Sequence, residues 1–489
     1  MIDHLRYTTW ALIFIFAIVG GMSVDKHRRL SRVLRILAYT IIWIYMIVYS
    51  VIYGVVAFDR IQIMFVVLAS LASLSISLYS EGYFRTLFGK ASSLQTIIDS
   101  SLALLIMFYT AYNLLELTIL WIAIEITGFL LIMIERGTVL WNIGMKYLII
   151  CATAGDTSLF TWIGVEAQKI GITNALLADF STLQAYGVTA PHVITVLLVI
   201  GFLAKLAQIP LHIWLVDTYA EAPPVVTAIM SGLMSKMGVY GLLRIYNTVI
   251  VDKMLFMTIL LIMGAVTIIY GSVMSAAQTN VKRMLAYSSM AHYGIMVILL
   301  SLMPVINYVK DLVIFYALYH GFVKTQLFLN TGTIAVLANT FDTRNLGYLS
   351  GVTPEIYNYI VIGVTALMGL PPTIGFMAKA LVIITVLDLL KYSILESIIL
   401  IVSVGIASIF SIVYSVKYLG CYIGYPTRRV PRPALEITSL QKIGEIIPAI
   451  AVIALPFTML PLISFSSAIN ILLIIHILAP VSYTHLTLP

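Results

Sequence analysis

Runs of about 20 mostly apolar residues follow one another along almost the whole chain, and short polar or basic segments separate them. A helix needs about 20 such residues to cross the hydrocarbon core of a bilayer. Only 10% of the 489 residues are charged, whereas charged residues make up about 25% of an ordinary soluble domain. The pattern therefore predicts an all-α, polytopic membrane protein and excludes a soluble globular enzyme.

Charged residues and Gly, Pro and Asn bound the predicted spans, and we expect about 14 transmembrane helices. They cover residues 7–24, 36–57, 61–79, 94–112, 114–134, 141–163, 192–216, 224–247, 254–277, 284–303, 311–338, 356–387, 394–418 and 444–475. The last span contains Pro448, Pro456 and Pro461 and could be two shorter segments. A basic cluster at residues 26–35 follows the first span, so we interpret that span as retained and not as a cleaved signal peptide.

Lysine and arginine are distributed unevenly among the loops between the spans. Loops that follow odd-numbered spans hold most of the 28 basic residues, for example at 26–35, 85–90 and 428–432. Because loops rich in Lys and Arg face the cytoplasm, we expect a multi-pass protein of the cytoplasmic membrane with both termini outside. The net charge of +7 then reflects this topology and not nucleic-acid binding.

Lysines inside the predicted spans are the most informative residues of the chain. They are Lys205, Lys236, Lys324 and Lys379. A charged side chain at a helix centre costs about 2.5–3.5 kcal/mol on insertion scales, so such residues usually face the bundle interior or a hydrated cavity. A lone lysine near a span end can instead extend to the headgroups. Four lysines in separate spans favour a functional role.

Two carboxylates are candidate partners of these lysines, Glu125 and Asp156. A buried carboxylate and a buried ammonium group can both stay charged when they are adjacent, whereas separation favours the neutral form of each. Opening and closing such a pair can therefore make its lysine or its carboxylate release and bind a proton. A static ion pair or a neutral carboxyl group is the alternative for Glu125. Asp156, which Thr153 and Thr157 flank, could instead belong to a polar helix contact.

Two histidines add titratable groups inside the spans. His320 and Lys324 are four residues apart and therefore share a helix face. His292 lies in another span. Imidazole titrates near neutral pH and can relay protons, and ordered water could connect these groups to Ser288 or Tyr316. A hydrogen bond between helices is the alternative role for His292.

Metal and cofactor motifs are missing from the sequence. Cys151 and Cys421 lie far apart, so we predict neither a disulfide framework nor a thiolate metal site. No His, Asp and Glu grouping has metal-ligand spacing, and no Gly-rich phosphate loop, iron–sulfur motif or haem motif occurs. We therefore expect no metal, no cofactor and no catalytic redox site in this chain.

Prolines interrupt two of the lysine-bearing spans. Pro210 shares a span with Lys205, and Pro371 and Pro372 share one with Lys379. Proline removes an amide donor and displaces the carbonyl group four residues earlier, so both helices should break near a lysine. Broken helices in corresponding halves are typical of transporters with internal repeats. We predict a repeat that pairs spans four to eight with spans nine to thirteen, with the broken helix fourth in each.

Sequence segments around these residues resemble a known family. Residues 202–223, FLAKLAQIPLHIWLVDTYAEAP, and residues 231–241, SGLMSKMGVYG, resemble the signature of antiporter-like membrane subunits. Such subunits occur in respiratory complex I, in membrane-bound hydrogenases and in multi-subunit cation/proton antiporters of the Mrp type. Residues 282–289, residues 369–376 and Glu125 in its Trp-containing span match this family as well.

The resemblance implies inverted five-helix repeats at residues 94–247 (helices 4–8) and 254–418 (helices 9–13), with discontinuous helices 7 and 12. Residues 1–93 would then form three N-terminal transmembrane helices, and residues 419–489 the C-terminal transmembrane region. The polar residues 481–489 differ from the rest and suggest a truncated or non-native end.

The resemblance also implies a proton path. Its members would be Glu125, Lys205, Lys236, His292, His320, Lys324 and Lys379. Altered pairing of Glu125 and Lys205 would drive protons along a hydrated midplane. Accessory candidates are Asp156, Asp217 and Glu221. Tyr219 stands where many members have histidine, and Tyr316 where some have a second histidine, which puts an accessory uptake route in question.

The resemblance implies a subunit that translocates protons, or exchanges sodium for protons, without redox chemistry of its own. We expect it in a multi-subunit respiratory complex, either NADH:quinone oxidoreductase-like or hydrogenase-like, whose partner subunits hold the redox cofactors. Expected partners are other membrane subunits, H⁺ or Na⁺ and the lipid bilayer, but no nucleic acid. The alternatives are a subunit of an Mrp-type antiporter without redox partners, a stand-alone secondary transporter, or an intramembrane transferase.

Overall fold

The computed structural model describes residues 2–135, 137–424 and 435–459, and most of them are helical. The all-α fold predicted from the sequence is therefore confirmed. The first part of the chain forms α1 (Ile2–Met22), α2 (Arg28–Tyr53), α3 (Arg60–Phe88), α4 (Ser92–Tyr109), α5 (Leu114–Ile132), α6 (Thr138–Ile170), α7 (Ile172–Leu177) and α8 (Phe180–Tyr186).

The second part contains the remaining helices. They are α9 (His192–Lys205), α10 (Leu215–Glu221), α11 (Pro224–Ile229), a π-helical turn (Met230–Met234), α12 (Lys236–Thr248), α13 (Lys253–Ala277), α14 (Val281–Ser301), α15 (Val309–Ala338), α16 (Leu349–Val352), α17 (Pro354–Met368), α18 (Ile374–Leu389), α19 (Ile394–Ile423) and α20 (Ser439–Met459). Short 3₁₀ turns occupy Met133–Glu135 and Thr343–Asn345. Strands β1 (Val188–Thr189) and β2 (Val249–Ile250) pair in parallel.

Helical segments that could cross a membrane number 12 in the described part of the chain. The helices α11 and α12 and the turn between them form one of these segments. The predicted spans 192–216 and 356–387 are each divided between two shorter helices. The predicted last span reaches residue 475, whereas the described residues end at 459, and residues 428–432 and 481–489 also lie outside them. The total of about 14 crossings stays a prediction.

Helix breaks occur at both predicted positions. Pro210 lies between α9 and α10, and Pro371 and Pro372 lie between α17 and α18. Ala207 in the first break and Gly369 in the second have positive φ angles of 46° and 82°. This left-handed conformation cannot continue a right-handed helix. Both lysine-bearing spans therefore expose backbone groups near their middle.

The starts of α5 and α14 make matching contacts. The Asn113 side chain caps α5, and the Asn280 side chain caps α14. Asn113 forms an antiparallel bridge with Asp179, and Asn280 forms one with Asp342. Each of these aspartates in turn caps the helical turn that follows it. Matching contacts of this kind are what an internal repeat produces. The predicted repeat boundaries and their inverted relation stay predictions.

The centre of the bundle contains three spans that are shielded from lipid. The membrane-spanning windows of Pro224–Thr248, α14 and α15 are 100% buried, whereas that of α2 is 22% buried. Lys236, His292, His320 and Lys324 belong to these central helices. A charged or polar side chain costs less there than against lipid, because protein groups and water can solvate it.

Three arginines near the ends of predicted spans are buried. They are Arg6, Arg35 and Arg244, and all three are at most 3% exposed. Each forms a salt bridge with an acidic residue, and these pairs are Arg6 with Glu116, Arg35 with Glu81 and Arg244 with Asp59. A position near a helix end does not decide whether the side chain faces the headgroups or another helix.

Close packing of α6 against α9 depends on Gly201. A Cβ atom at Gly201 would stand 2.1 Å from the Ala154 carbonyl oxygen, which belongs to the backbone and cannot rotate away. Small residues permit such close approaches between membrane helices.

We predict that Gly201→Ala destabilises the protein by about 1–3 kcal/mol through overpacking. The melting temperature of the detergent-solubilised protein measures this effect. Gly164→Ala is the matched control, because a Cβ atom there has no neighbour within 4 Å. Equal melting temperatures of the two variants would contradict the packing argument.

Candidate functional site

Buried titratable side chains form a row through the bundle. They comprise the seven predicted path residues, which are Glu125 on α5, Lys205 on α9, Lys236 on α12, His292 on α14, His320 and Lys324 on α15, and Lys379 on α18. All except the partly buried Lys379 are at most 2% exposed. The sequence alone gave no distances between them, and the structure supplies these.

Glu125 and Lys205 form a buried ion pair at one end of this row. Lys205 Nζ donates to Glu125 Oε1 at 2.8 Å and to the Tyr147 hydroxyl at 3.0 Å. The lysine is the last helical residue of α9, directly before the break. Glu125 Oε2 accepts no hydrogen bond from the described residues. The pair is therefore formed through one carboxylate oxygen only, and the other oxygen is free to accept a proton or a water molecule.

Lys236 and His320 form the next contact. Lys236 Nζ lies 2.7 Å from His320 Nδ1 and also donates to the Ser231 carbonyl. Ser231 belongs to the π-helical turn before α12, and such turns are frequent at functional sites. An ammonium group that donates to Nδ1 requires the ring proton on Nε2. His320 Nε2 has no hydrogen-bond partner within the described chain, so it can pass a proton onward.

His292 lies beside His320, with ring centroids 5.2 Å apart. Its Nδ1 is 2.7 Å from the Tyr316 hydroxyl, and its Nε2 is 3.5 Å from the Tyr414 hydroxyl. The contact with Tyr316 joins α14 to α15, so His292 forms the hydrogen bond between helices that was its alternative role, and its role as a relay stays a prediction. The two roles are compatible, because a relay group needs hydrogen-bond partners.

Lys324 lies one turn after His320 but does not bond to it. Its Nζ donates to Ser288 Oγ at 2.7 Å and to the Leu285 carbonyl at 3.2 Å, both on α14. Within the described residues, this ammonium group thus hydrogen-bonds to neutral partners only. A buried lysine in such surroundings exchanges its proton more readily than one in an ion pair.

Lys379 ends the row at the second helix break. Its Nζ donates to the carbonyl groups of Leu367 and Met368 at 2.9 and 3.0 Å, and to Ser411 Oγ at 2.8 Å. The two carbonyls belong to the last turn of α17, where backbone acceptors are unpaired and the helix dipole is negative. The break therefore supplies a binding site for an ammonium group.

A cavity of about 10 Å³ lies between Lys379 and His292. Tyr316 and Tyr414 also line it. This volume is close to the minimum that one water molecule needs, and the lining offers several polar partners. One water molecule there would link the imidazole to the ammonium group.

Aromatic residues fill the space between the Glu125–Lys205 pair and Lys236. The Tyr147 ring packs on Trp214 at 5.3 Å, and Trp214 packs on Tyr219 at 6.2 Å. The Tyr219 hydroxyl is 3.3 Å from that of Tyr293. Tyr293 OH is in turn 3.2 Å from Ser231 Oγ, beside Lys236. Tyr219, which replaces the histidine of many family members, therefore contributes a hydroxyl to this gap.

Three tyrosines that were not among the predicted site residues complete the row, namely Tyr147, Tyr293 and Tyr414. All are buried. Nothing in the sequence distinguished them, because the chain contains 29 tyrosines and their roles depend on which helices meet.

Two of the accessory candidates, Asp217 and Glu221, form ion pairs outside the row. Asp217 pairs with Lys146 at 3.5 Å and with Arg283 at 3.6 Å, and Glu221 pairs with Arg283 at 3.6 Å. These pairs are partly exposed. Asp156 on α6 has a buried Oδ1 without a partner among the described residues. Those residues include no group of three or more His, Cys, Asp and Glu side chains that could hold a metal ion.

Curated relatives of the chain carry the names of quinone oxidoreductase subunits. NAD(P)H-quinone oxidoreductase chain 4, chloroplastic, of Oenothera parviflora is 32% identical over 283 residues, which are 57% of this chain and 56% of that protein. NAD(P)H-quinone oxidoreductase chain 4-2 of Synechocystis sp. is 31% identical over 279 residues, 57% of this chain and 49% of that protein. The chain thus matches about half the length of these relatives.

A solved structure has the same fold. It is described as the Mrp complex from Dietzia sp. DQ12-45-1b, and one of its chains matches with a TM-score of 0.74 at 19% identity, over 93% of this chain and 96% of that chain. The sequence model of the family described as "NADH:quinone oxidoreductase/Mrp antiporter, TM" matches residues 111–407, which include the whole row. The resemblance is confirmed, and the chain belongs to the NADH:quinone oxidoreductase/Mrp antiporter transmembrane family.

Proposed function

We propose that this chain translocates protons across the membrane as a non-redox subunit of a larger complex. The observation that carries the proposal is the row of buried titratable groups from Glu125 to Lys379. Charged groups at this depth are costly, and in membrane proteins they mark ion pathways and proton relays. Hydrogen bonds, a ring contact and a water-sized cavity connect most neighbours in the row.

The Glu125–Lys205 pair is the switch in this proposal. While the pair is closed, each charge stabilises the other, and Lys205 keeps its proton. When the pair opens, the buried ammonium group loses that stabilisation and releases a proton. The hydroxyl groups of Tyr219, Tyr293 and Ser231 lead toward Lys236, which shares a hydrogen bond with His320. The proton then moves toward His292 and leaves near Lys379.

The energy for switching comes, in our proposal, from partner subunits of a quinone oxidoreductase-like complex, which also hold its redox cofactors. The relatives' names support this class of complex. A subunit of an Mrp-type antiporter, driven by an ion gradient and able to exchange Na⁺, is the second candidate, since the family description includes both classes. We place the protein in the cytoplasmic membrane, with both termini outside and the basic loops facing the cytoplasm.

Purification from native membranes tests this function. We expect the chain to copurify with other membrane subunits, and the complex to acidify one side of sealed proteoliposomes. Acidification driven by quinone reduction supports the redox class, whereas acidification driven only by a sodium gradient supports the Mrp class. Recovery as an active monomer would contradict both.

Tyr147→Phe should slow translocation without stopping it. The substitution removes the hydroxyl that lies 3.0 Å from Lys205 Nζ but leaves the bond to Glu125. We expect a loss of about tenfold, because a hydrogen bond to a charged group contributes about 1.5 kcal/mol or more. The initial rate of proteoliposome acidification measures it. Tyr186→Phe, at an exposed tyrosine on α8, is the control. A rate equal to that of the control would exclude a role for this hydroxyl.

A further inference from the structure

Glu445 on α20 is a buried carboxyl group that the row above does not use. It is 0% exposed. Its Oε2 accepts from Asn330 Nδ2 at 3.0 Å, and its Oε1 accepts from Thr333 Oγ1, both on α15. No lysine, arginine or histidine of the described chain lies within salt-bridge distance of it. A buried carboxylate with neutral partners is costly, so this group binds a proton or exchanges one.

Tyrosine hydroxyls surround this carboxyl group. Asn330 Oδ1 accepts from Tyr418 OH at 2.8 Å and from Tyr422 OH at 2.7 Å, both on α19. The Tyr79 hydroxyl on α3 is 3.1 Å from Thr333 Oγ1. The network therefore joins α3, α15, α19 and α20 around Glu445.

One face of α19 connects this network to the row of titratable groups. Ser411, Tyr414, Tyr418 and Tyr422 are separated by three or four residues, so they share a helix face, and all are at most 2% exposed. Ser411 accepts from Lys379 and Tyr414 OH approaches His292, whereas the last two tyrosines bind Asn330. Tyr414 and Tyr422 are about 12 Å apart along the helix axis. The hydroxyls of Tyr414 and Tyr418 share no hydrogen bond within the described residues, so the route requires bridging water molecules between them.

We propose that Glu445 is a proton-loading site, and that the hydroxyl face of α19 delivers its proton to the row at His292, before the exit at Lys379. The proposal rests on the proposed function. The carboxylate of Glu445 takes up one proton from solvent and becomes a carboxylic acid. Each hydroxyl or water molecule then accepts one proton and releases another, until the neutral imidazole of His292 binds a proton and Glu445 is a carboxylate again.

The position of Glu445 fits a loading site. It lies in the second turn of α20, close to the membrane face where that helix begins. Asn330 and Thr333 lie in the last turns of α15, which ends at the same face. Glu445 and the four α19 residues follow residue 407, where the match to the family ends. We call the route from Glu445 along the hydroxyl face of α19 the branch. It is therefore inferred from the side-chain contacts of this chain alone.

Glu445→Gln in the assembled complex tests the branch. Glutamine has the same shape and can still hydrogen-bond to Asn330, but it cannot bind and release a proton. We expect proteoliposome acidification to fall about tenfold or more. We also expect the infrared carbonyl band of the protonated carboxyl group to disappear. Glu355→Gln is the matched control, since Glu355 is exposed and pairs with Lys442 on α20; it should retain the wild-type rate and the band.

Two further variants separate the branch from the general function. The acidification rate of Lys205→Ala, measured in the same type of proteoliposome, tests whether the row translocates protons. Loss of acidification in Lys205→Ala together with a wild-type rate in Glu445→Gln would overturn the branch and leave the proposed function intact. A wild-type rate in Lys205→Ala would overturn the proposed function. Should Glu445→Gln fail to assemble, Tyr418→Phe decides: a rate several-fold below wild type supports the branch, and an unchanged rate overturns it.

Discussion

Lys205→Arg is expected to assemble normally and yet to lower proton translocation about 100-fold or more, to the background leak. Arginine keeps a positive charge beside Glu125, so the buried pair at 2.8 Å is replaced by another ion pair. Its guanidinium group does not release a proton in proteins. The variant therefore removes the chemistry that we assign to Lys205 and keeps its electrostatic role. Acidification of proteoliposomes that contain the whole complex measures the loss.

Lys205→Ala is a less specific test than Lys205→Arg, because it removes both the titratable group and the positive charge. It also stops translocation, but it leaves Glu125 buried without a cation, which costs about 3–5 kcal/mol while that carboxyl group stays charged. Protonation of Glu125 would relieve only part of this cost, since the neutral carboxyl group stays buried without its lysine partner. We therefore expect Lys205→Ala to assemble with a lower melting temperature, whereas Lys205→Arg keeps the wild-type value.

Lys146→Ala is the control for both variants. Lys146 also carries a positive charge, but it is exposed and pairs with Asp217 at 3.5 Å, away from the row. Exposed pairs of this kind contribute little, so we expect wild-type translocation and stability. Wild-type translocation in Lys205→Arg would show that Lys205 acts only as a fixed charge, and proton release at the switch would have to be assigned elsewhere.

Membrane spans and helix breaks could be predicted because both depend on local properties. The length of an apolar run decides whether a helix can cross the bilayer, and a proline disrupts its own helix whatever its neighbours are. Pro210 and the Pro371–Pro372 pair were therefore sufficient to locate the breaks. The lysines of the row could be identified for a related reason, since a charge within an apolar run is unusual in any arrangement of the helices.

Partner residues could not be predicted, because they depend on which helices pack together. Tyr147 contacts Lys205 from α6, and Tyr414 approaches His292 from α19. Asp217 was a candidate because of its neighbours in the sequence, yet it lies in a partly exposed pair. Glu445 was missed because it lies near the start of a span, where a carboxylate usually reaches the headgroups; in the structure α3 and α15 cover it.

The matching caps of α5 and α14 relate two members of the row. Glu125 follows Asn113 at the same interval at which His292 follows Asn280, so the two residues hold corresponding positions in their helices. One position bears the carboxylate of the switch, and the other bears a neutral relay group. The first half of the bundle can thus hold a closed ion pair, whereas His292, Lys324 and Lys379 in the second half lie beside neutral partners.

His320→Gln is expected to lower translocation about 100-fold, because it removes the only imidazole that contacts Lys236 among the described residues. Glutamine can still accept a hydrogen bond from Lys236 Nζ, and that lysine also keeps its bond to the Ser231 carbonyl. The complex should therefore assemble as the wild type does. His4→Ala, at an exposed histidine, is the control and should retain the full rate.

Combining His320→Gln with Tyr147→Phe tests whether the row is a single path. In a series of steps the slowest one limits the rate, so the double variant should be no slower than His320→Gln alone, although Tyr147→Phe by itself costs about tenfold. Losses that multiply would instead require both side chains to act on the same rate-limiting step. A double variant about tenfold slower than His320→Gln would therefore contradict separate, sequential steps at Lys205 and His320.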